Sequence, residues 1–358
     1  MDLFVSCAPG LEPLLADEIR QLRLGSPTEV AGGVEMSGGL RSIYRANLEL
    51  GLAQQVRARL GTFLATTGGE LGRKTAKLEF ERWIDPGRPL RVSVTSRGSR
   101  LAHTGQVAER VRRAIAHRVK GTPPPGRGGA HVHVRLVRDR AQLSIDTSGA
   151  PLHRRGYRLD PGPAPLREDL ARALVVVSGW GRAGRLVDPM VGSGTVAIEA
   201  ALMASGRPPG AGRSFEFEHA PCFDPALWAR TKAAAGRKEE RAEVFGSDRD
   251  PDALRRAAAN AERAGVTLRL DVASLSEAPG VRATPADGAL VTNPPWGERL
   301  EGDTSRLYRR LGELVAGLPR SWKAAVAMPA ERRAPRPFSS VLVTDARGIK
   351  IRLCRRGP

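Results

Sequence analysis

The sequence predicts an α/β chain in two parts: small α+β units, then a mostly parallel, doubly wound sheet closed by a β-hairpin. Three observations carry this. Before residue 150 the pattern reads as small α+β units: β-α-β-α with a further strand over residues 3–65, then a strand, a helix and a strand pair. Residues 152–165 (LHRRGYRLDPGPAP) are rich in Pro and Gly, as a linker should be. Beyond residue 165, strand and helix patterns alternate, which argues for parallel pairing. The division expected is 1–55, 56–150, a linker at 151–165, and 166–358.

The elements follow in order. Residues 3–7 are a short apolar run that Pro9-Gly10 ends, and 11–22 set Leu11, Leu14, Leu15, Ile19 and Leu22 at helical spacing. Residues 28–36 read as one strand with a bulge at Gly32-Gly33, 43–55 as a helix, and 56–65 as a strand. Residues 90–95 alternate with period two, as a half-buried strand does. A basic amphipathic helix spans 106–119, with Val107, Val111, Ala114, Ile115 and Val119 on one face. Residues 131–138 and 142–147 read as a strand pair turning near Asp139-Arg140. In the second part, strands are expected at 186–188, 244–248, 268–271, 289–293 and 324–328, and helices at 166–177, 195–204, 251–264 and 305–317. Strands at 341–344 and 349–353 flank a turn and form the closing hairpin. Residues 206–241 interrupt the alternation as an insertion.

Composition narrows the class. The 358 residues carry 57 Lys+Arg against 38 Asp+Glu, a net charge of +19. Only 7 of those cations are Lys and 50 are Arg, while Asn occurs three times, so part of the excess is a bias of the whole composition. A field of that sign still favours a polyanionic partner. No apolar run approaches the roughly 20 residues that cross a bilayer, and the Met1-Asp2-Leu3 start lacks the basic region of a signal peptide. Cys7, Cys222 and Cys354 lie far apart with no CxxC pair, which argues against a zinc ribbon or disulfide scaffold and for a reducing, cytoplasmic compartment. No residue group suggests a metal; His103 stands alone.

Three motifs sit at predicted C-terminal ends of strands, where open α/β sheets bind ligands. In Asp188-Pro189-Met190-Val191-Gly192-Ser193-Gly194-Thr195, an acid ends the strand, glycines let the backbone approach a ligand, and a helix N-terminus offers N–H groups. Alone, Gly192-x-Gly194-x-x-Ala197 also matches a dinucleotide fingerprint. In Gly246-Ser247-Asp248-Arg249-Asp250, Asp248 can accept both hydroxyls of a ribose, while one of Asp248 and Asp250 can cap the helix at Pro251. Asp271, ending the third strand, is either an acceptor for an adenine amine or a solvated strand end. In Asn293-Pro294-Pro295-Trp296-Gly297, two prolines remove N–H donors and leave carbonyls free. This suits an aromatic exocyclic amine: the Asn293 oxygen and Pro294 carbonyl accept its two hydrogens, and Trp296 stacks on the ring.

Together the three motifs resemble class I S-adenosylmethionine-dependent methyltransferases acting on amino nitrogens, which have a Rossmann-like sheet. Residues 145–158 (IDTSGAPLHRRGYR) and 164–168 (APLRE) are similar to the junction of the THUMP-domain RNA methyltransferases of the guanine-N2 type. Residues 3–22 resemble that family's ferredoxin-like N-terminal unit, and 97–111 (RGSRLAHTGQVAERV) part of its THUMP domain. The chain departs from the family in having Trp296 where Tyr or Phe is usual, and Arg249 where an apolar residue often flanks the adenine.

The resemblance implies roles. Asp188, Met190, Gly192, Ser193, Gly194 and Thr195 would hold the amino-acid end of S-adenosyl-L-methionine, Asp248 its ribose and Asp271 its adenine amine. Asn293, Pro294, Pro295 and Trp296 would present the N2 amine of an unpaired or flipped guanosine for direct displacement. Arg97, Arg100, His103, Arg110, Arg112 and Arg113, continued by Arg154, Arg155 and Arg158, would contact RNA phosphates. The substrate expected is 23S ribosomal RNA, with transfer RNA the alternative. Rival readings are a DNA adenine-N6 methyltransferase and a non-catalytic RNA-binding assembly factor. A nicotinamide oxidoreductase leaves the Asn-Pro-Pro-Trp run without purpose.

Overall fold

The structure is a computed structural model that describes residues 1–159, 166–282, 287–296, 304–346 and 348–357. In chain order it contains β1 (Asp2–Ser6), α1 (Glu12–Gln21), β2 (Thr28–Val30), β3 (Gly33–Ser37), α2 (Leu40–Glu49), β4 (Gln55–Leu64), α3 (Gly68–Thr75), β5 (Leu90–Arg97), α4 (Thr104–Arg118), β6 (Ala130–Val137), β7 (Arg140–Asp146), α5 (Glu168–Ser178), β8 (Gly184–Asp188) and α6 (Thr195–Ala204). There follow α7 (Pro225–Ala234), β9 (Ala242–Asp248), α8 (Pro251–Ala264), β10 (Arg269–Val272), α9 (Pro279–Arg282), β11 (Ala289–Thr292), α10 (Thr304–Gly317), β12 (Lys323–Pro329), β13 (Phe338–Ala346) and β14 (Ile349–Arg356). Contacts divide the chain into two compact units. One holds Met1–Ser6, Ala16–Leu152 and Arg213–Ala234; the other holds Cys7–Leu15, His153–Gly212 and Ala235–Pro358.

The first unit is built on one seven-stranded sheet, in the order β2-β3-β1-β4-β7-β6-β5. Alternate residues supply its buried face: Leu3 and Val5, Val34 and Met36, Val56 and Ala58, Val132, Val134 and Leu136, Leu143 and Ile145. β4 pairs antiparallel with β1 on one side and with β7 on the other. The boundary expected between residues 55 and 56 therefore falls at a strand common to both halves of one sheet. Residues 28–36 form two antiparallel strands rather than one bulged strand, with Val30 opposite Gly33.

Helix α2 ends six residues before the expected limit. The amides of Gly51 and Leu52, which would continue it, are each held by the Glu18 carboxylate at 3.0 Å. Helix α3 was not expected among three glycines. Its start is held from outside: Thr67 Oγ1 accepts the Glu70 amide at 3.3 Å, and the Glu70 carboxylate accepts the Thr66 amide at 2.9 Å. Residues 213–234, read as an insertion in the second part, pack within this first unit. Tyr44 of α2 stacks on Phe217 at 4.5 Å, and Trp228 of α7 meets Phe217 edge-on at 5.2 Å.

The second unit has the sheet order β10-β9-β8-β11-β12-β14-β13. β10, β9, β8, β11 and β12 are parallel, and β14 slots antiparallel between β12 and β13 as the closing hairpin. Leu290 and Val291 of β11 and Ala324 to Met328 of β12 are fully buried, as strands covered on both faces should be. Trp322, Leu311 and Val315 pack against them. Strand order reverses at β8, and open sheets of this kind bind ligands beyond the strand ends at such a switch point. Among the described residues no helix is long and apolar enough to cross a membrane, and the three cysteines are unpaired.

Candidate active site

The turn after β8 is held by its neighbours at almost every peptide. The Val191 amide donates to the Ser247 carbonyl at 2.9 Å, and the Gly194 amide to the Val191 carbonyl at 2.8 Å. The Gly192 amide donates to Asp248 Oδ2 at 3.0 Å, and the Asp250 amide to Asp248 Oδ1 at 3.1 Å. Asp248 thus pins the turn, and its remaining lone pairs can still accept hydroxyls. Asp250 caps α8 by accepting the Asp252 amide at 2.8 Å, which assigns the cap that the sequence left open between the two acids. Gly192 has φ +53° and Gly194 φ +88°, both in the left-handed region. A Cβ on Gly192 would meet no protein atom within 4 Å, whereas one on Gly194 would lie 3.1 Å from Ala257 Cβ. The first glycine therefore leaves open space before the turn; the second lets the turn sit against α8.

Asp188 is buried at the end of β8. Its Oδ1 accepts the Thr292 hydroxyl at 2.7 Å and the Met190 amide at 3.3 Å. Burial pushes its carboxyl up to about 7; the Asp248 charge adds to the rise, and the two donors oppose it. Thr292 closes β11, so this bond ties the ends of the two strands that flank the switch point. The sequence reading missed Thr292, whose only signal is a hydroxyl ending an apolar strand. Among the described residues the buried hydroxyl of Thr195, at the start of α6, has no hydrogen-bond partner.

Asn293 follows β11 directly. Among the described residues its Oδ1 is buried without a partner, as is the indole N–H of Trp296; Pro294 is buried and Pro295 half-buried. A buried acceptor left unsatisfied costs about 1–3 kcal/mol, so such an atom at a switch point marks a place for a donor. Gly297 lies outside the described residues.

The third acid is placed differently from the other two. Asp271 is exposed and lies level with Ser247, one residue short of the end of β10. The residue level with Asp248 is Val272, which is 62% exposed. The structure brings Val272, not Asp271, beside Asp248. An apolar residue following an acid at a strand end was the available signal.

The basic residues separate into two groups. In the first unit Arg97, His103 and Arg110 are exposed. The Arg100 side chain is 75% exposed, with its backbone amide on Asp139 at 2.7 Å. Arg112 and Arg113 both pair with Glu109 at 3.0 Å. In the second unit Arg154 is exposed, but Arg155 is buried 3.6 Å from the buried Glu199, and Arg158 pairs with the buried Glu168 at 3.0 Å. Both were expected to contact RNA. The buried ion pair takes Arg155 off any contact surface, because a buried charge needs its partner, while Arg158 stays half-buried and committed to Glu168. Residues 160–165 of the expected linker lie outside the described residues.

One group of potential metal ligands occurs among the described residues: His131, His133 and Asp146, with ligand atoms within 4.8 Å of one another. Burial and the nearby Arg57 and Arg91 guanidiniums push both imidazoles down. The same positive charge opposes a cation, so the group supports no metal reading.

A switch point in this strand order, with a glycine turn, an acid on the next strand and an Asn-Pro-Pro-Trp run at the strand ends around it, defines a class I methyltransferase-like α/β domain. The chain belongs to the RMKL-like methyltransferase domain family, whose model matches residues 155–340. A second model, the RlmL ferredoxin-like domain, matches residues 2–57. The chain is 38% identical over 347 residues to "Ribosomal RNA large subunit methyltransferase K/L" of Methylococcus capsulatus, covering 91% of this chain and 46% of that one. To the protein of the same name in Vibrio campbellii it is 36% identical, covering 85% and 45%. It spans about half the length of these curated relatives. Solved structures match over the whole chain. The SAH complex of the methyltransferase-like protein SMU.472 has TM-score 0.87 and 27% identity, covering 99% of this chain and 97% of that one. An N6-adenine-specific DNA methylase predicted in Listeria monocytogenes has TM-score 0.82 and 30% identity, covering 98% and 95%.

Proposed function

We propose that this chain is an S-adenosylmethionine-dependent RNA methyltransferase that methylates the exocyclic N2 amine of a guanosine in large-subunit ribosomal RNA. The observation that carries this reading is the buried Asn293 Oδ1 just past β11, unpartnered among the described residues. It is an acceptor waiting for an N–H donor, at a switch point whose turn suits a nucleoside cofactor.

The residues present fit S-adenosylmethionine. Open space fronts Gly192, the start of α6 supplies a helix dipole and the Thr195 hydroxyl, and Asp188 supplies a carboxylate for an ammonium group. Asp248 accepts the ribose hydroxyls while keeping the Gly192 amide. Val272 supplies an apolar wall for the purine, and Asp271 accepts its amine from the strand edge. When bound, the cofactor supplies an electrophilic methyl on a sulfonium.

Asn293 Oδ1 and the Pro294 carbonyl accept the two amine hydrogens and draw them out of the ring plane, making the nitrogen lone pair more available. Trp296 stacks on the base, and Pro295 holds the run in shape. The nitrogen becomes strongly acidic once methylated, so its proton leaves to water without a dedicated base. Catalysis rests on positioning and fixed dipoles. Residues 56–150 act as a THUMP-type RNA platform, with Arg97, Arg100, His103, Arg110, Arg112 and Arg113 at phosphates. The relatives named as ribosomal RNA methyltransferases favour ribosomal over transfer RNA.

The test is methyl transfer from radiolabelled S-adenosylmethionine to unmodified 23S ribosomal RNA, bulk transfer RNA and duplex DNA, each digested to nucleosides. N2-methylguanosine from the ribosomal RNA alone is the expected result. Label in transfer RNA changes the substrate, and N6-methyladenine in DNA overturns the reading.

A further inference from the structure

Asn260 is one of three asparagines in the chain, and the function proposed above gives it no task. It sits on α8 and is fully buried. Its Nδ2 donates to the Ser193 carbonyl at 2.9 Å, between the two glycines of the cofactor turn. The N–H of that same peptide, on Gly194, donates to the Val191 carbonyl at 2.8 Å. The peptide between Ser193 and Gly194 is therefore fixed at both its oxygen and its nitrogen, and its plane cannot turn.

The Ser193 carbonyl can only accept, so it takes the N–H₂ end of the amide, and a second contact holds the same orientation from the other side. Arg263, one turn further along α8, donates to Asn260 Oδ1. A guanidinium can only donate, so the amide oxygen must face Arg263 and the amide N–H₂ must face Ser193. Arg263 is itself anchored, because its Nε donates to the Tyr157 carbonyl at 2.8 Å. Tyr157 is buried, and its hydroxyl donates to Glu199 Oε1 of α6 at 3.1 Å. Glu199 also pairs with Arg155 at 3.6 Å and Arg172 at 3.7 Å. The segment around residue 157 thus bonds to both helices that begin at the switch point, α6 and α8.

We propose that Asn260 is a positioning residue for the cofactor turn, and that Arg263, anchored on the Tyr157 carbonyl, acts through it by holding the amide oxygen so that the N–H₂ stays on Ser193. This rests on the reading of the turn as the S-adenosylmethionine site.

The discriminating variant is Asn260→Asp in the full chain. It keeps the volume and strengthens the pairing with Arg263, but sets an oxygen against the Ser193 carbonyl. A role in packing alone predicts that it is milder than Asn260→Ala. The proposal predicts that it is at least as severe. Calorimetry with S-adenosylhomocysteine should show affinity reduced on the order of tenfold or more in Asn260→Asp, as a mispaired buried group implies. KM for the RNA should stay unchanged. Arg263→Lys keeps the charge but loses the fork that spans two acceptors, and should weaken binding several-fold. Melting temperatures without ligand identify any variant that has failed to fold, and Asn260→Gln, with the same donor on a longer arm, should then recover part of the affinity. Wild-type binding with Asn260→Asp within about twofold of it overturns this proposal alone. A wild-type chain that binds no S-adenosylhomocysteine overturns the functional reading and this proposal together.

Discussion

The Thr292 hydroxyl donates to Asp188 Oδ1 at 2.7 Å across 104 positions of sequence. It joins the last residue of β11 to the last residue of β8, and Asn293 is the next residue in the chain. Replacing Thr292 with Val keeps the shape and removes the donor. Methyl transfer should fall about tenfold, the weight of one buried hydrogen bond to a charged group. Thr292→Ser should stay within about twofold of wild type. Equal losses in both variants would place the effect in packing rather than in the bond.

Asp188 gives the fold a pH signature. Its ordinary value is 3.8 and burial pushes it up to about 7. Between those values the folded chain keeps a proton that the unfolded chain has lost. Stability therefore falls as pH rises through that window, and the cost is complete above pH 7. Asp188→Asn should remove this slope, worth roughly 4 kcal/mol at full extent. Denaturant unfolding at pH 5 and pH 8 measures it, and parallel slopes in both proteins would refute the assignment.

At the Asn-Pro-Pro-Trp run, binding and chemistry should separate. Asn293→Ala should lower turnover by about a thousandfold or more while S-adenosylhomocysteine affinity moves less than about threefold. Trp296→Ala should cost about tenfold to a hundredfold in kcat/KM for RNA, the range of a lost stacking partner, and Trp296→Tyr should restore most of it. Loss of cofactor binding in Asn293→Ala would assign that residue to the cofactor instead.

The arginines divide by exposure. Ala at Arg97, Arg100 or Arg110 should weaken RNA binding and reduce the slope of log affinity against log salt by about one each. Arg155→Ala should leave that slope unchanged. It should instead lower stability by about 3 kcal/mol, because Glu199 stays buried with one counter-charge fewer. Filter binding across a salt series, with thermal melts alongside, distinguishes the two behaviours.

The second unit was legible in the sequence because of what its strands do. Parallel strands buried on both faces read as apolar runs, and α8 declares its start through Asp250 and Pro251. The positions of Asp188, Asp248 and Asn293 followed from the same strand ends. What escaped depends on partners distant in sequence. The end of α2 is set by Glu18, and the burial of Arg155 by Glu199. The work of Thr292 and Asn260 shows only once Asp188 and Ser193 stand beside them. Residues 213–234 lack helical periodicity over a full turn, and their aromatic residues find Tyr44 only in the folded first unit.

The sharing of β4 between β1 and β7 bears on how the first unit can be handled and how it fails. Two sequence families of contact converge on one strand, so the sheet should protect its amides as a single exchange-resistant block. Removing residues 1–54 would not release an independent remainder. It would strip one side of β4, leaving Val56 and Ala58 along a long unpaired edge, which is the template on which strands of neighbouring molecules add and precipitate.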